Sequence, residues 1–299
     1  MLNWWFIAKI PSDMASESLG EPRISLNFLL DESLSKYARK QRWQKFILTE
    51  AFYFKIYINN ARFLVSMVSK VPRHVGIILD GNRRYAKRLG LKPWLGHEYG
   101  IRKLEQLLKW AQELGIREIT LYAFSTENFK RTKTEKDFLF KLFKREFESM
   151  KHRQDIFNNR IRINIVGRLE MFPEDIRKSM LDIMSITKKH KNFILNFAMA
   201  YGGRQEITDA VKKLAHQVKD NKIEPDEINE ETITNNLYIK NEPDLVIRPS
   251  GEMRTSNFLM WQSAYSEWIF IDKLWPEFTK LDLEHCILEF SKRERRFGK

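Results

Sequence analysis

The stretch His74-Val-Gly-Ile-Ile-Leu-Asp-Gly-Asn-Arg-Arg84 closes an apolar run with a carboxylate, a glycine, an amide and two arginines. Guanidinium forks match phosphate oxygens and stay charged at any working pH. Gly81 lets backbone approach a ligand, and a helix opening near Asn82 would aim free N–H groups at an anion. Asp80 makes sense beside Arg83 and Arg84 if a divalent cation lies between its carboxylate and a phosphate. Magnesium takes one or two carboxylates plus substrate phosphates. The turn by itself reads equally well as a solvated Asp-Gly-Asn bend.

Similar groups follow other apolar runs: Ser125-Thr-Glu-Asn128 with Arg131, Tyr201-Gly-Gly-Arg204, and Arg248-Pro-Ser-Gly-Glu-Met-Arg254 with Ser256. The runs 75–79, 119–124, 161–166, 193–198, 245–247 and 268–271 lack polar alternation and read as buried strands. Between them, Ile101, Leu104, Leu107, Leu108, Ala111 and Leu114 recur at helical spacing, as do the apolar residues of 138–147 and 207–218. The pattern predicts an α/β fold, a mostly parallel central sheet of about six strands flanked by helices. Ligands of such sheets bind beyond the carboxyl ends of the strands, where these polar groups fall.

With 299 residues and a formal charge of +13, the chain can bury a large core and attract polyanions. Cys286 is the only cysteine, which excludes an intramolecular disulfide and a cysteine-rich zinc site. No run reaches the roughly 18 apolar residues of a membrane span, and the start, MLNWWFIAKI, lacks the cationic lead of a signal peptide. A cytoplasmic location is expected, with peripheral contact at a membrane surface left open. There is no G-x-x-x-x-G-K-[ST] loop, no G-x-G-x-x-G after a strand and no H-E-x-x-H helix. Residues 1–70 read as a largely helical extension with a small-residue linker at 11–22, and residues 71–299 as the main domain.

Six blocks in this order, "HVGIILDGNRRYAKRLG", "GHEYG", "LYAFSTENFKR", "NFAMAYGGRQEI", "DLVIRPSGEMRTSNFLMWQSAYSEWIFIDKLWPEF" and "ERRFG", resemble the cis-prenyltransferases of undecaprenyl diphosphate synthase type. The resemblance covers about Val71 to Lys299. It implies that Asp80 is the magnesium-associated catalytic aspartate, and that Gly81, Asn82, Arg83, Arg84, His97 and Arg131 hold an allylic diphosphate. Ser125 and Asn128 would lie near the reacting centre, with Asn128 counted as catalytic. Arg248, Arg254 and Ser256 would clamp isopentenyl diphosphate, and Glu267 would help Asp80 to place the metal. Arg296 and Gly298 would reach into a partner subunit's site. The implied protein is a homodimeric transferase that condenses isopentenyl diphosphate repeatedly onto an allylic prenyl diphosphate of ten to twenty carbons. Its product would be a long-chain polyprenyl diphosphate, the precursor of a glycosyl-carrier lipid.

The chain departs from the bacterial pattern at Pro93, where an arginine is usual, at Met253, where a histidine is frequent, and at Arg83 in place of glycine. The growing chain needs an apolar tunnel, for which Leu104, Leu108, Phe138, Leu142 and Phe143 are the expected walls. Two rival readings have distinct signatures. A non-catalytic partner subunit would have lost Asp80, and a nucleic-acid-binding protein would give Asp80 no work among arginines; no nucleic acid is expected.

Overall fold

The structure is a computed structural model, and it describes residues 70–293. The expected extension over 1–70 and the sites at Arg296 and Gly298 lie outside the described residues.

Six strands form one sheet in the order β3-β4-β2-β1-β5-β6, with every adjacent pair parallel. They are β1 (His74–Ile78), β2 (Glu118–Ser125), β3 (Ile161–Val166), β4 (Phe193–Tyr201), β5 (Leu245–Pro249) and β6 (Glu267–Ile271). Val, Ile, Leu and Phe fill the central strands without alternation because helices follow every strand but β5 and cover the sheet. The helices are α1 (Asn82–Arg88), α2 (Gly96–Glu113), α3 (Lys133–Met150), α4 (Gln154–Asn158), α5 (Glu174–Thr187), α6 (Gly203–Lys219), α7 (Glu230–Asn236) and α8 (Lys280–Lys292).

One face of the sheet presents Val75, Ile77, Ile119, Leu121, Ile163 and Leu195 to the larger core, completed by Leu104, Leu107 and Ala111 of α2 and Leu139 and Leu142 of α3. The other face carries a smaller core of Ile78, Tyr122, Tyr201, Val246, Phe258 and Leu259. Parallel pairing puts all six carboxyl ends on one rim, so loops distant in sequence converge there.

Two details tune that rim. In β2 the register shifts between Tyr122 and Phe124. The shift turns Phe124 onto the larger core while Tyr122 belongs to the smaller one. α3 opens with Thr132 as N-cap, its hydroxyl accepting the Glu135 N–H at 3.4 Å, which holds the Glu135 carboxylate in the first turn near the rim.

Candidate active site

Past the end of β1, Asp80 is held by its own backbone. Its N–H donates to the Ile78 carbonyl at 2.9 Å, and its carbonyl accepts the Trp275 N–H at 2.9 Å. Gly81 then takes φ +102°, and a Cβ there would lie 2.9 Å from the Leu274 side chain, so only glycine turns the chain into α1 here. Asn82 is buried and donates its amide to the Leu79 carbonyl at 3.0 Å, while its Oδ1 is buried without a partner. At Gly96 a Cβ would stand 1.9 Å from the Asn82 carbonyl oxygen. That missing atom lets α2 start directly against α1 and brings His97 to the rim.

The Asp80 carboxylate is the centre of a cationic net. Oδ2 accepts from Arg248 Nη2 at 2.8 Å and from the Ser250 hydroxyl at 2.9 Å. Oδ1 faces Arg84 Nη2 at 3.6 Å and takes no hydrogen bond from the described residues. Burial works to raise the Asp80 pKa, but the hydrogen bonds of Arg248 and Ser250 and the charges of Arg248 and Arg84 outweigh it, leaving the acid below the usual carboxylate value. Arg248 is itself 3% exposed; it also donates to the Ser256 hydroxyl at 2.7 Å and to the Arg254 carbonyl. Ser250 holds its position at φ +100°, a backbone region that L side chains rarely adopt.

A second net lies across the rim. The buried Glu135 carboxylate accepts from Arg131 at 3.0 Å and faces Arg83 Nε at 3.6 Å. Arg131 Nη1 also approaches His97 Nε2 at 3.4 Å. Burial and the charges of Arg131 and Arg83 push the His97 pKa down to about 3, so its ring is neutral and accepts from the guanidinium.

Between these nets opens a cavity of about 380 Å³, bordered by Asp80, Arg83, Arg84, His97, Arg131 and Arg254 and joined by Gly81, Asn82, Lys87 and Glu252. Its five cations against two carboxylates make it an anion site. Behind it lies an apolar cavity of about 70 Å³ that shares Leu79, Asn82 and His97 with the first. Ile101 and Leu104 of α2, Leu142, Phe143, Phe147 and Met150 of α3, and Ala123 at the β2 irregularity enclose it. Of the expected wall residues, Leu104, Leu142 and Phe143 face this space, whereas Leu108 and Phe138 pack into the core beside it.

The expected site residues gather unevenly. Asp80 to Arg84, His97, Arg131 and Arg254 border the polar cavity, and Arg248 stands behind it, bonded directly to Asp80 and to Ser256. Ser125 and Asn128 close the turn after β2, with the Asn128 Oδ1 accepting the Ser125 N–H at 3.1 Å, and neither borders the cavity. Arg204 is exposed outside it.

Glu267 is not brought to Asp80 within the chain. It opens β6 in register with Leu245, at the amino rim and roughly 13 Å of strand from the site, and pairs with Arg293 at 2.7 Å. The contact missed from sequence is Ser250, whose Pro-Ser-Gly setting signalled a turn but not its direction. Lys87 and Glu252 also border the cavity and had not been singled out. Among the described residues no group of three or more His, Cys, Asp and Glu is placed to hold a metal ion alone. The donor set therefore suits a hard cation that arrives with its diphosphate, with Asp80 Oδ1 the carboxylate oxygen not hydrogen-bonded by the described residues.

An acid inside an arginine-lined basin, backed by an apolar space, suits a diphosphate ester with a hydrocarbon tail. Comparison with known proteins agrees. Residues 78–298 match the family profile described as "Putative undecaprenyl diphosphate synthase". The chain is 50% identical over 232 residues to a tritrans,polycis-undecaprenyl-diphosphate synthase (geranylgeranyl-diphosphate specific) of Methanopyrus kandleri, covering 77% of this chain and 86% of the relative. A protein of the same description from Pyrococcus horikoshii is 46% identical over 256 residues, covering 84% and 97%. The crystal structure of lavandulyl diphosphate synthase from Lavandula x intermedia, in complex with dimethylallyl diphosphate, superposes with a TM-score of 0.73 at 34% identity, covering 77% of this chain and 99% of that one. Sequence match, shared fold and the charge of the rim converge: the chain belongs to the undecaprenyl diphosphate synthase family and is a cis-prenyltransferase.

Proposed function

We propose that the enzyme extends an allylic primer of the geranylgeranyl diphosphate class with successive isopentenyl diphosphates, giving a long-chain polyprenyl diphosphate that serves as a glycosyl-carrier precursor. The observation that carries this reading is the union of the two cavities at Leu79, Asn82 and His97, polar on one side and apolar on the other. Relatives at 46–50% identity that are described as geranylgeranyl-diphosphate specific support the primer.

In each cycle the allylic C–O bond breaks and diphosphate departs with the bonding pair. The isopentenyl double bond supplies the pair for the new C–C bond, and loss of a proton restores a double bond in the cis form. Arg83, Arg84 and Arg131 are already spaced around the basin by Glu135 and Asp80, so they meet the growing charge with little reorganisation. Arg248, Arg254 and Ser256 hold the second diphosphate beside them. Neutral His97 orients Arg131 without adding charge. A bound magnesium ion would supply Lewis-acid stabilisation of the leaving diphosphate, with Asp80 as its protein ligand. Ser125 and Asn128 shape the β2 side of the reacting space. Two chains associate, and Arg296 and Gly298 of each complete the other's site.

Incubation of the full chain with magnesium, labelled isopentenyl diphosphate and separately geranyl, farnesyl or geranylgeranyl diphosphate tests the reading. Chromatography of the extracted lipid should show a long product made fastest from geranylgeranyl diphosphate. No elongation of any primer, with or without detergent, would refute it.

A further inference from the structure

The opposite rim of the sheet carries a second cationic region that the reaction does not use. Arg73, Arg117 and Arg160 immediately precede β1, β2 and β3, and Lys188, Lys189 and Lys191 lie between α5 and β4. All six are exposed, and none forms an ion pair among the described residues. Backbone bonds fix them as neighbours. The Arg117 N–H donates to the Arg73 carbonyl at 3.0 Å, the Ile194 N–H to the Arg117 carbonyl at 2.9 Å, and the Asn192 N–H to the Arg160 carbonyl at 3.2 Å. With strands about 4.8 Å apart, the row spans roughly 14 Å.

Few acids oppose it: Asp182 pairs with Lys151 and Lys178, and Glu267 with Arg293, while exposed Glu242 lies by His74. Segments 156–169 and 183–199 contain none. Glu118 is buried and accepts from Asn196 and Asn241, while Asp244 accepts the backbone N–H groups of Arg73 and His74. Ile186, in the last turn of α5 and two residues before Lys188, is 47% exposed in the midst of this charge.

We propose that this amino rim docks the enzyme on an anionic lipid bilayer, with the basic side chains at the headgroups and Ile186 dipping among them. An exposed apolar side chain two and three residues from Lys188 and Lys189 suits a headgroup layer, which offers both phosphate and hydrocarbon. A nucleic-acid backbone would leave Ile186 in water. The apolar cavity points the same way: its lining descends α3 from Leu142 to Met150, the last residue of the helix, away from the polar basin and toward the amino rim. On the proposed function, the oldest end of the tail is therefore directed at the membrane.

The test uses the full chain and vesicles of phosphatidylcholine, alone or mixed with phosphatidylglycerol. Co-sedimentation is expected only with the mixed vesicles and should weaken with salt. A combined Arg117→Ser, Lys188→Ser, Lys189→Ser and Lys191→Ser variant should bind at least about tenfold more weakly, with turnover in detergent unchanged. Equal binding by parent and variant overturns the proposal. So does a variant that loses binding to RNA or DNA while retaining vesicles.

A second measurement does not depend on the variant's folding. Cys286 is buried, so Ile186→Cys can be labelled selectively with a polarity-sensitive dye. A blue shift on mixed vesicles is expected, and unchanged emission also overturns the proposal. Absence of turnover by the parent in detergent would instead strike at the proposed reaction and leave the vesicle result to stand by itself.

Discussion

Arg248 Nη2 donates to Asp80 Oδ2 at 2.8 Å, joining the ends of β5 and β1 across 168 positions of sequence. The arginine is buried whereas the aspartate is partly open to the cavity, so the pair is asymmetric. Removing the acid strands a buried cation, which is costlier than losing an exposed contact. Asp80→Asn keeps a carbonyl oxygen for Arg248, and its turnover should fall about a hundredfold or more with a native-like melting curve. Asp80→Ala should show the same loss and in addition be destabilised by about 3 kcal/mol in urea titration. Near-normal turnover by Asp80→Asn would remove the carboxylate from the mechanism.

Ser250 separates stability from activity. Its φ of +100° is a conformation glycine adopts freely, yet its hydroxyl donates to Asp80 Oδ2 at 2.9 Å. Ser250→Gly should relieve strain and raise stability by up to about 1 kcal/mol. The same change loosens the carboxylate and should lower kcat about tenfold, the order expected of a hydrogen bond to a charged group. Thermal unfolding and steady-state kinetics on one sample check both signs.

Acidification should expose His97. Its pKa is about 3 in the folded chain against an ordinary 6.5, so between these values the unfolded state binds the extra proton. Stability therefore rises with pH through that window and is lost as pH falls, with a slope of up to about 1.4 kcal/mol per pH unit from this residue. His74, also lowered by burial, adds in the same direction. Unfolding free energies at a series of pH values should show a shallower slope for His97→Asn, by about one proton. An identical slope would contradict a neutral ring at His97.

Phe143 borders the apolar cavity and packs edge-on against Phe124 at 5.5 Å between ring centroids. Phe143→Ala should enlarge the space, shift the product distribution toward longer chains and destabilise the domain by about 3 kcal/mol. Chromatographic profiling and urea unfolding provide the two readouts. An unchanged distribution would place the tail elsewhere.

How far the sequence reached depended on whether the signal was local. The apolar runs located six strands, and 161–166 coincides with β3. β4 continues past the expected Ala198 to Tyr201 because Met199, Ala200 and Tyr201 remain apolar, and Ala200 takes φ +47° with nothing in its side chain to announce it. The gathering of Asp80 and the arginines was legible because a parallel sheet delivers strand ends to one rim. What could not be read was direction around a turn: Ser250 pointing back to Asp80, or the Asn128 amide spent on its own loop. The position of Glu267 was likewise not legible, since the strand register carries it to the other rim of the same chain.

The apolar space measures about 70 Å³. Phe124, Phe129, Phe140, Phe143 and Phe172 crowd beside it in tilted and edge-on contacts. On the proposed function, a prenyl tail entering this space would press on that aromatic layer between α3 and the sheet, so ring packing rather than charge would limit how much tail the domain holds.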